Sequence, residues 1–162
     1  MAAKGAEAHP HATRLMLVVA DGCRVGVALD SVDGVYDLLR ADAPDSARLP
    51  DGLAIPLVAW NEVAGVPPPA LAVEAQHVMV VRTASGPIGF AADACLGVRD
   101  VSFAKPPLPT SLVGSSGDPL CLLLSLDRRP HFLLDPRALA DALSARVKTT
   151  AHEAASGGAG AG

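Results

Sequence analysis

Aromatic residues are scarce in this sequence, and no hydrophobic run is long. Of the 162 residues, half are hydrophobic but only five are aromatic, namely Tyr36, Trp60, Phe90, Phe103 and Phe132. The core must therefore be built from Leu, Val, Ile and Ala, and there is no aromatic ladder on which nucleic-acid bases could stack. The longest apolar runs, at 15–20 and 120–124, fall far short of the roughly 20 residues of a membrane span.

Positive charge is also limited. The chain has 13 Lys and Arg against 17 Asp and Glu, which gives a net charge of −4 without a basic patch. This balance argues against a nucleic-acid partner. The N-terminus, Met-Ala-Ala-Lys-Gly-Ala-Glu, lacks the apolar stretch of a signal peptide. We therefore expect a cytoplasmic protein that makes no direct membrane contact.

Cysteine and histidine provide no clear metal or redox site. Cys23, Cys95 and Cys121 are far apart and contain no Cys-x-x-Cys spacing, which predicts reduced, buried thiols. His9 and His11 are close together but lack a third ligand nearby. We expect no metal and no cofactor.

Short strands are predicted for most of the chain. Asp21-Gly22 favours a tight hairpin, because both central residues of a type I′ turn need positive φ. Further strand pairs are predicted at 78–83 with 87–92 and at 120–126 with 131–134, and a single strand at 55–60. The Pro-rich stretch at 66–69 divides the chain into two β-rich halves, at 14–66 and 77–135. No fixed-period repeat is obvious.

One helix is predicted near the C-terminus. Asp135 can cap it, and Pro136 suits its first position. Leu139, Leu143 and Val147 then recur on one face. The predicted organisation is a flexible arm at 1–13, a domain at 14–148 and a flexible Gly-rich tail at 149–162. The predicted fold class is mainly β, a barrel architecture with a closing helix.

No catalytic constellation is evident. His77 and His131 are each predicted at the start of a strand, and Asp30, Asp33 and Asp37 on the solvated face of a helical turn. An alternative function is a small β-barrel ligand-binding protein or hydrolase that uses Asp and His chemistry. It would need a pocket in which polar groups converge, with one of these histidines within reach of an aspartate.

The order of the segments resembles the CheW-like domains of bacterial chemosensory arrays, over about residues 14–145. The matching phrases are Leu-Met-Leu-Val-Val-Ala-Asp-Gly-Cys-Arg-Val-Gly-Val at 15–27, Ile-Pro-Leu-Val-Ala-Trp at 55–60, Pro-Ile-Gly-Phe-Ala-Ala-Asp-Ala-Cys-Leu-Gly-Val at 87–98, and His-Phe-Leu-Leu-Asp-Pro-Arg-Ala-Leu at 131–139. The third is similar to the family's most recognisable phrase. The resemblance implies two intertwined, SH3-like five-stranded β-barrels, a short C-terminal helix and no enzymatic activity.

The resemblance also implies partners. CheW-like adaptors bind the cytoplasmic tip of a chemoreceptor, a methyl-accepting chemotaxis protein. They also bind the regulatory domain of a CheA-type histidine kinase, or another CheW-like protein. Carried over by position, the receptor-binding groove would use Leu29, Val32, Val35, Ile88, Phe90 and Val98.

One segment departs from the family pattern. The stretch from Leu39 to Leu53 is shorter than usual and is predicted to be loop, which would truncate the first barrel. Of the altered partner-binding residues Leu49, Asp51 and Gly52, the glycine matches the family and Asp51 replaces an arginine. This divergence is similar to that of Frz-type adaptors such as FrzB. We therefore expect receptor binding to persist and kinase binding to be weakened or lost. A complete coupling protein that bridges receptor and kinase is the alternative, and two paired strands in this segment would favour it.

Overall fold

Twelve β-strands and two α-helices form the part of the chain described by this computed structural model, residues 11–40, 45–67, 75–103, 108–109 and 121–157. A 3-10 helix at Leu29–Ser31 follows the second strand. The strands are β1 (His11–Ala20), β2 (Cys23–Ala28), β3 (Val32–Asp37), β4 (Leu39–Arg40), β5 (Ser46–Arg48), β6 (Ala54–Val58), β7 (His77–Thr83), β8 (Gly86–Ala92), β9 (Ala94–Phe103), β10 (Leu108–Pro109), β11 (Cys121–Leu126) and β12 (Arg129–Leu134). The helices are α1 (Trp60–Ala64) and α2 (Pro136–Gly157).

The strands form two curled sheets of six, and the last strand in each order is only two residues long. The first sheet has the order β9–β1–β2–β12–β11–β10, and the second β3–β7–β8–β6–β5–β4. Each sheet is antiparallel except at one parallel pair, β2 with β12 and β8 with β6. The predicted mainly β, two-barrel fold class is therefore confirmed.

Each half of the chain contributes strands to both sheets. The strand after each central hairpin crosses over: β3 follows β2 but pairs with β7, and β9 follows β8 but pairs with β1. The two halves therefore repeat one topology and interlock. Both predicted halves, on either side of the Pro-rich stretch, are rich in β-strands. Neither half, however, supplies all the strands of either sheet.

A sequence repeat accompanies this topology, which corrects the expectation that the chain has none. Residues 25–37 align with residues 88–100, and the strand registers confirm the alignment, since Gly26 lies opposite Leu17 and Gly89 opposite Val80. The identical pairs are Gly26 and Gly89, Ala28 and Ala91, Asp30 and Asp93, Gly34 and Gly97, Val35 and Val98, and Asp37 and Asp100.

Continuous apolar runs become strands that are buried on both faces. Alternate residues of a strand point to opposite sides. Leu15 and Leu17 of β1 pack inside the first sheet, whereas Val18 and Ala20 pack in a core between the sheets. In β7, Val78 and Val80 pack inside the second sheet, and Met79 and Val81 join the same inter-sheet core. The inter-sheet core thus holds the two halves together.

The three predicted hairpins are confirmed. Asp21 and Gly22 both have positive φ, as a type I′ turn requires. The β7–β8 hairpin turns at 84–85. The β11–β12 hairpin turns at Asp127 and Arg128, which have φ of 51° and 61° without a glycine.

Helix α2 closes the molecule. The Asp135 carboxylate accepts a hydrogen bond of 2.9 Å from the Arg137 backbone N–H, so the predicted cap is confirmed. The helix leaves β12 of the first sheet and packs on the second. There the Arg146 guanidinium donates to the Glu62 carboxylate at 2.6 to 3.0 Å and to the Leu57 carbonyl at 2.8 Å.

Several predicted boundaries are wrong. His11 already belongs to β1, and α2 continues to Gly157, past the predicted end at 148. Trp60 begins α1 instead of ending a strand, because Glu62 reaches back to the Ala59 N–H at 2.9 Å and starts a helical turn. Residues 1–10 and 158–162, which include His9, lie outside the described residues.

Three local predictions also need correction. Residues 39–53 contain β4 and β5, which pair with each other, and β5 also pairs with β6. Of the three aspartates, Asp33 and Asp37 lie on β3, and only Asp30 lies in the 3-10 helix. Among the cysteines with described side chains, Cys23 is half-buried but Cys95 is exposed.

Candidate functional site

The edge strands β3 and β9 carry apolar side chains at equivalent positions. Val35 lies beside Met79 in the β3–β7 register, and Val98 lies beside Met16 in the β9–β1 register. Val32 and Val35 are half-buried against the inter-sheet core, whereas Val98 is 53% exposed. We call Leu29, Val32, Val35 and Val98 the rim, since they are the accessible members of the predicted receptor-binding groove.

The other two predicted groove residues are not accessible. Ile88 and Phe90 of β8 are 1% and 0% exposed and belong to the inter-sheet core. Alternate residues of a strand point to opposite faces, and Ile88 and Phe90 lie on the face of β8 that turns to the inter-sheet core. Their role as contact residues stays a prediction, and in this structure they belong to the core against which Val32 and Val35 pack.

Two accessible neighbours of Val98 were missed by the sequence analysis. Met16 is half-buried beside it, and the Cys95 Sγ lies 3.9 Å from the Met16 Sδ. The repeat is the sequence signal that could have identified this strand face, because Cys95 aligns with Val32 and Val98 with Val35. The result is an apolar edge suited to docking an apolar partner surface.

The altered segment forms a tight connection between β5 and β6. Leu49 and Leu53 are joined by a backbone hydrogen bond of 2.8 Å, and Gly52 has φ of 89°. The Asp51 carboxylate accepts from the Leu53 N–H at 2.9 Å, and Arg48 donates to the Gly52 carbonyl at 3.3 Å. Asp51 therefore stabilises its own turn, while Leu49 packs into the core of the second sheet.

The histidines do not assemble a catalytic site in the described residues. The His77 Nδ1 lies 3.5 Å from the Asp37 Oδ1, but this pair is at the surface, where Asp37 is 92% exposed. His131 is buried in the middle of β12, not at its start, and its Nδ1 lies 3.0 Å from the Arg129 carbonyl oxygen. The His77–Asp37 pair therefore adds no support to the hydrolase alternative, which required a pocket.

A cavity of about 640 Å³ lies elsewhere, between α2 and the β5–β6 strands. Its lining is mostly apolar, with Leu143 and Val147 on the helix and Ile55 and Pro56 on β6. Within the described residues no three His, Cys, Asp or Glu side chains are grouped to hold a metal ion. No helix of that part of the chain has the length and hydropathy to cross a membrane.

One ion pair at the end of the first sheet shifts pKa values. The Arg99 guanidinium donates to both carboxylate oxygens of Asp127, with Nη2 at 2.8 Å from Oδ1. This hydrogen bonding lowers the pKa of Asp127 and raises the pKa of Arg99. The pair joins β9 to the β11–β12 turn.

Two interlocked half-barrels with exchanged strands, a core between them and a closing helix define a CheW-like fold. A solved structure with this fold is the scaffolding protein TtCheW from Thermoanaerobacter tengcongensis, with a TM-score of 0.58 and 13% sequence identity. The match covers 76% of this chain and 89% of that protein. No protein-family model matches the sequence, and no curated protein matches it either.

Proposed function

We propose that this chain is a non-catalytic adaptor of a bacterial chemosensory array that binds the cytoplasmic tip of a chemoreceptor. The observation that carries this proposal is the fold shared with a protein described as a scaffold. The rim supports it, because apolar side chains at equivalent positions of two sheets suit a helical partner. Such an adaptor acts in the cytoplasm, where the receptor tip lies.

We also propose that binding of the histidine kinase is weakened. Strand β5 has three residues, whereas its counterpart β11 has six. Asp51 carries a negative charge where the family pattern has an arginine. The shorter strand reduces the surface available at this end of the second sheet, and the reversed charge opposes a partner that complements an arginine there, as in a Frz-type adaptor.

A complete coupling protein is the second candidate. The observation that favours it is the pairing of β4 with β5 and of β5 with β6, since a strand connection in this segment survives. The two candidates differ only in whether the kinase regulatory domain, or another CheW-like protein, still binds.

The test is a binding measurement with two immobilised partners, a receptor tip and a kinase regulatory domain. Val35→Asp and Val98→Asp place a charge on the rim, and we expect each to weaken receptor binding by at least about tenfold. Leu53→Asp is the matched control for receptor binding, since Leu53 is an exposed apolar residue that does not belong to the rim.

The outcomes separate the candidates. Receptor binding alone, lost in the rim variants, supports the adaptor with weakened kinase binding. Binding to both partners supports the complete coupling protein. Binding to neither partner, or equal binding by the rim variants and the wild type, contradicts receptor recognition at the rim.

A further inference from the structure

Helix α2 shows how a helix fits against one of the two repeated sheets. Ala138 and Leu139 are buried in the inter-sheet core, and Ala142 and Leu143 pack against it one turn later. This small-large pattern, repeated every four residues, lets the helix approach the sheet closely. Farther along, Leu143 and Val147 lie over Ser46 and Pro56, among others.

The other repeat lacks such a helix. Strands β6 and β12 occupy equivalent positions in the two repeats. Helix α1 follows β6 as α2 follows β12, so α1 is the counterpart of α2. It ends after five residues, whereas α2 has 22. The end is well defined, since Gly65 adopts φ of 69° in the left-handed conformation that terminates helices.

The surface where a longer helix would lie is apolar. Leu57 and Leu133 face the equivalent glycines Gly89 and Gly26. Pro56 precedes Leu57 and pairs with Ser46 of β5. Phe132 precedes Leu133 in the same way and pairs with Leu123 of β11. Leu123 and Phe132 are thus the counterparts of the two residues that α2 overlies.

These counterparts are partly open to solvent. Trp60 of α1 packs against Phe132 with a ring-centroid distance of 5.0 Å, so the short helix covers one end of the surface. Leu123 is 44% exposed beyond it. Leu123 and Phe132 thus leave an apolar surface beside α1.

The charge beside this surface indicates what partner it suits. The β11–β12 hairpin that carries Leu123 and Phe132 turns at Arg128, which is exposed and next to the exposed Arg129. The equivalent β5–β6 connection has Asp51 instead. A partner helix with acidic residues at the end nearest the hairpin turn would complement these arginines.

We propose that Leu123, Phe132 and Arg128 form a docking surface for an acidic amphipathic helix of a partner protein. The helix would occupy on the first sheet the place that α2 occupies on the second. Its apolar face would carry small and large residues in the α2 pattern. Leu123 and Phe132 lie on β11 and β12, whereas the rim residues lie in the 3-10 helix and on β3 and β9, so the proposal does not depend on receptor recognition at the rim.

The test uses the full-length, ¹⁵N-labelled protein and a synthetic peptide as a probe. The peptide spans residues 136–151 and carries Arg137→Glu, Arg146→Glu and Lys148→Glu, which keep the apolar pattern and make the helix acidic. We expect saturable amide shifts in β11, β12 and α1. Leu123→Asp should weaken binding by about tenfold and Arg128→Glu by about threefold.

Two controls make the result decisive. Val147→Asp changes an exposed apolar residue of α2 and should leave peptide binding unchanged. Leu123→Ser, with a thermal melt of each variant, separates loss of binding from loss of folding. Shifts confined to β6, β7 and β8 beneath α2, no saturable shift, or equal binding by the folded Leu123 variants would each overturn the proposal.

Discussion

At Gly89 and Gly26, the absence of a side chain allows a neighbouring strand's side chain to pack closely. A Cβ added at Gly89 would lie 2.7 Å from the Val78 Cγ2 and 3.3 Å from the Pro56 carbonyl oxygen. At the equivalent Gly26, the nearest atom is the Leu17 Cδ2 at 2.9 Å. A leucine tip can rotate away, whereas a valine is held by its stiff χ1 and its strand.

We therefore expect Gly89→Ala to destabilise the fold by about 2 kcal/mol, as overpacked cores do. Gly26→Ala is the matched control and should cost less than about 1 kcal/mol, since a loss of unfolded-state entropy offsets part of the strain. Urea denaturation of both variants measures the difference. Equal destabilisation would contradict this account of the two glycines.

The Arg99–Asp127 pair makes stability depend on pH in the acid range. Because folding lowers the pKa of Asp127 through its hydrogen bonds to Arg99, the pair stabilises the fold fully above the unfolded pKa of about 4. This stabilisation is lost as the pH falls through the lower folded pKa. Asp127→Asn retains the side-chain shape that suits positive φ and should remove this part of the pH dependence.

The measurement is thermal unfolding between about pH 2 and pH 7. Arg99→Gln should remove the same part of the pH dependence of stability. The variant with both substitutions should show the same pH dependence as either single variant. If Asp127→Asn shows the acid-range dependence of the wild type, the pair does not contribute.

At the scale of the elements, a half-buried arginine joins α2 to its neighbours. Arg146 is half-buried and joins the helix to the Glu62 carboxylate on α1 and to the Leu57 carbonyl on β6. Its loss would leave the partly buried Glu62 carboxylate without this partner.

We expect Arg146→Met to destabilise the fold by about 2 kcal/mol. Hydrogen exchange should accelerate most in the C-terminal half of α2, beyond the residues buried in the core. Lys148→Gln is the control, because Lys148 is an exposed cation on the same helix, two residues after Arg146. A uniform acceleration throughout the protein would indicate that Arg146 does not anchor the helix specifically.

The elements themselves were predictable where a local rule governs them. The Asp21-Gly22 turn and the Asp135-Pro136 helix start follow from backbone preferences of those residues. The end of α2 was not predictable from the sequence, because its last turns contain no apolar periodicity that would distinguish a helix from a flexible tail. Strand β5 was not predicted, because it has only three residues. Its pairing with β4 on one side and β6 on the other stabilises it more than the β-propensity of those residues does.

At the scale of the whole molecule, the exchange of strands makes the two halves interdependent. Each sheet contains a two-stranded hairpin from one half and four strands from the other, and the main core lies between the sheets. Neither half can pair all of its strand edges or bury its inter-sheet face alone.

We predict that a chain cut between Pro67 and Ala75 yields two fragments that are each unfolded but fold together when mixed. Circular dichroism and a melting curve of each fragment and of their mixture test this. An intact chain with a Gly-Ser linker in place of 68–74 is the control and should fold normally. Cooperative unfolding of one isolated fragment would contradict the interdependence.

The candidate site was predictable only in part. The repeat of Gly-Val at 34–35 and 97–98 marks the edge strands, and Val35 and Val98 do lie on them. Ile88 and Phe90 belong to the same phrase of sequence but are buried. Exposure depends on which face of β8 turns to the core between the sheets, and this is not encoded in the local pattern.

What the sequence alone determined was the mainly β class, the hairpin turns and the start of the closing helix. Those features depend on residues that are close in the chain and on the backbone conformations they prefer. Only the tertiary structure decided which strands pair across the repeats, which apolar residues remain accessible, and that α2 covers one sheet while Leu123 stays exposed on the other. These depend on pairings between residues far apart in the chain, whose energies appear only when both partners are in place.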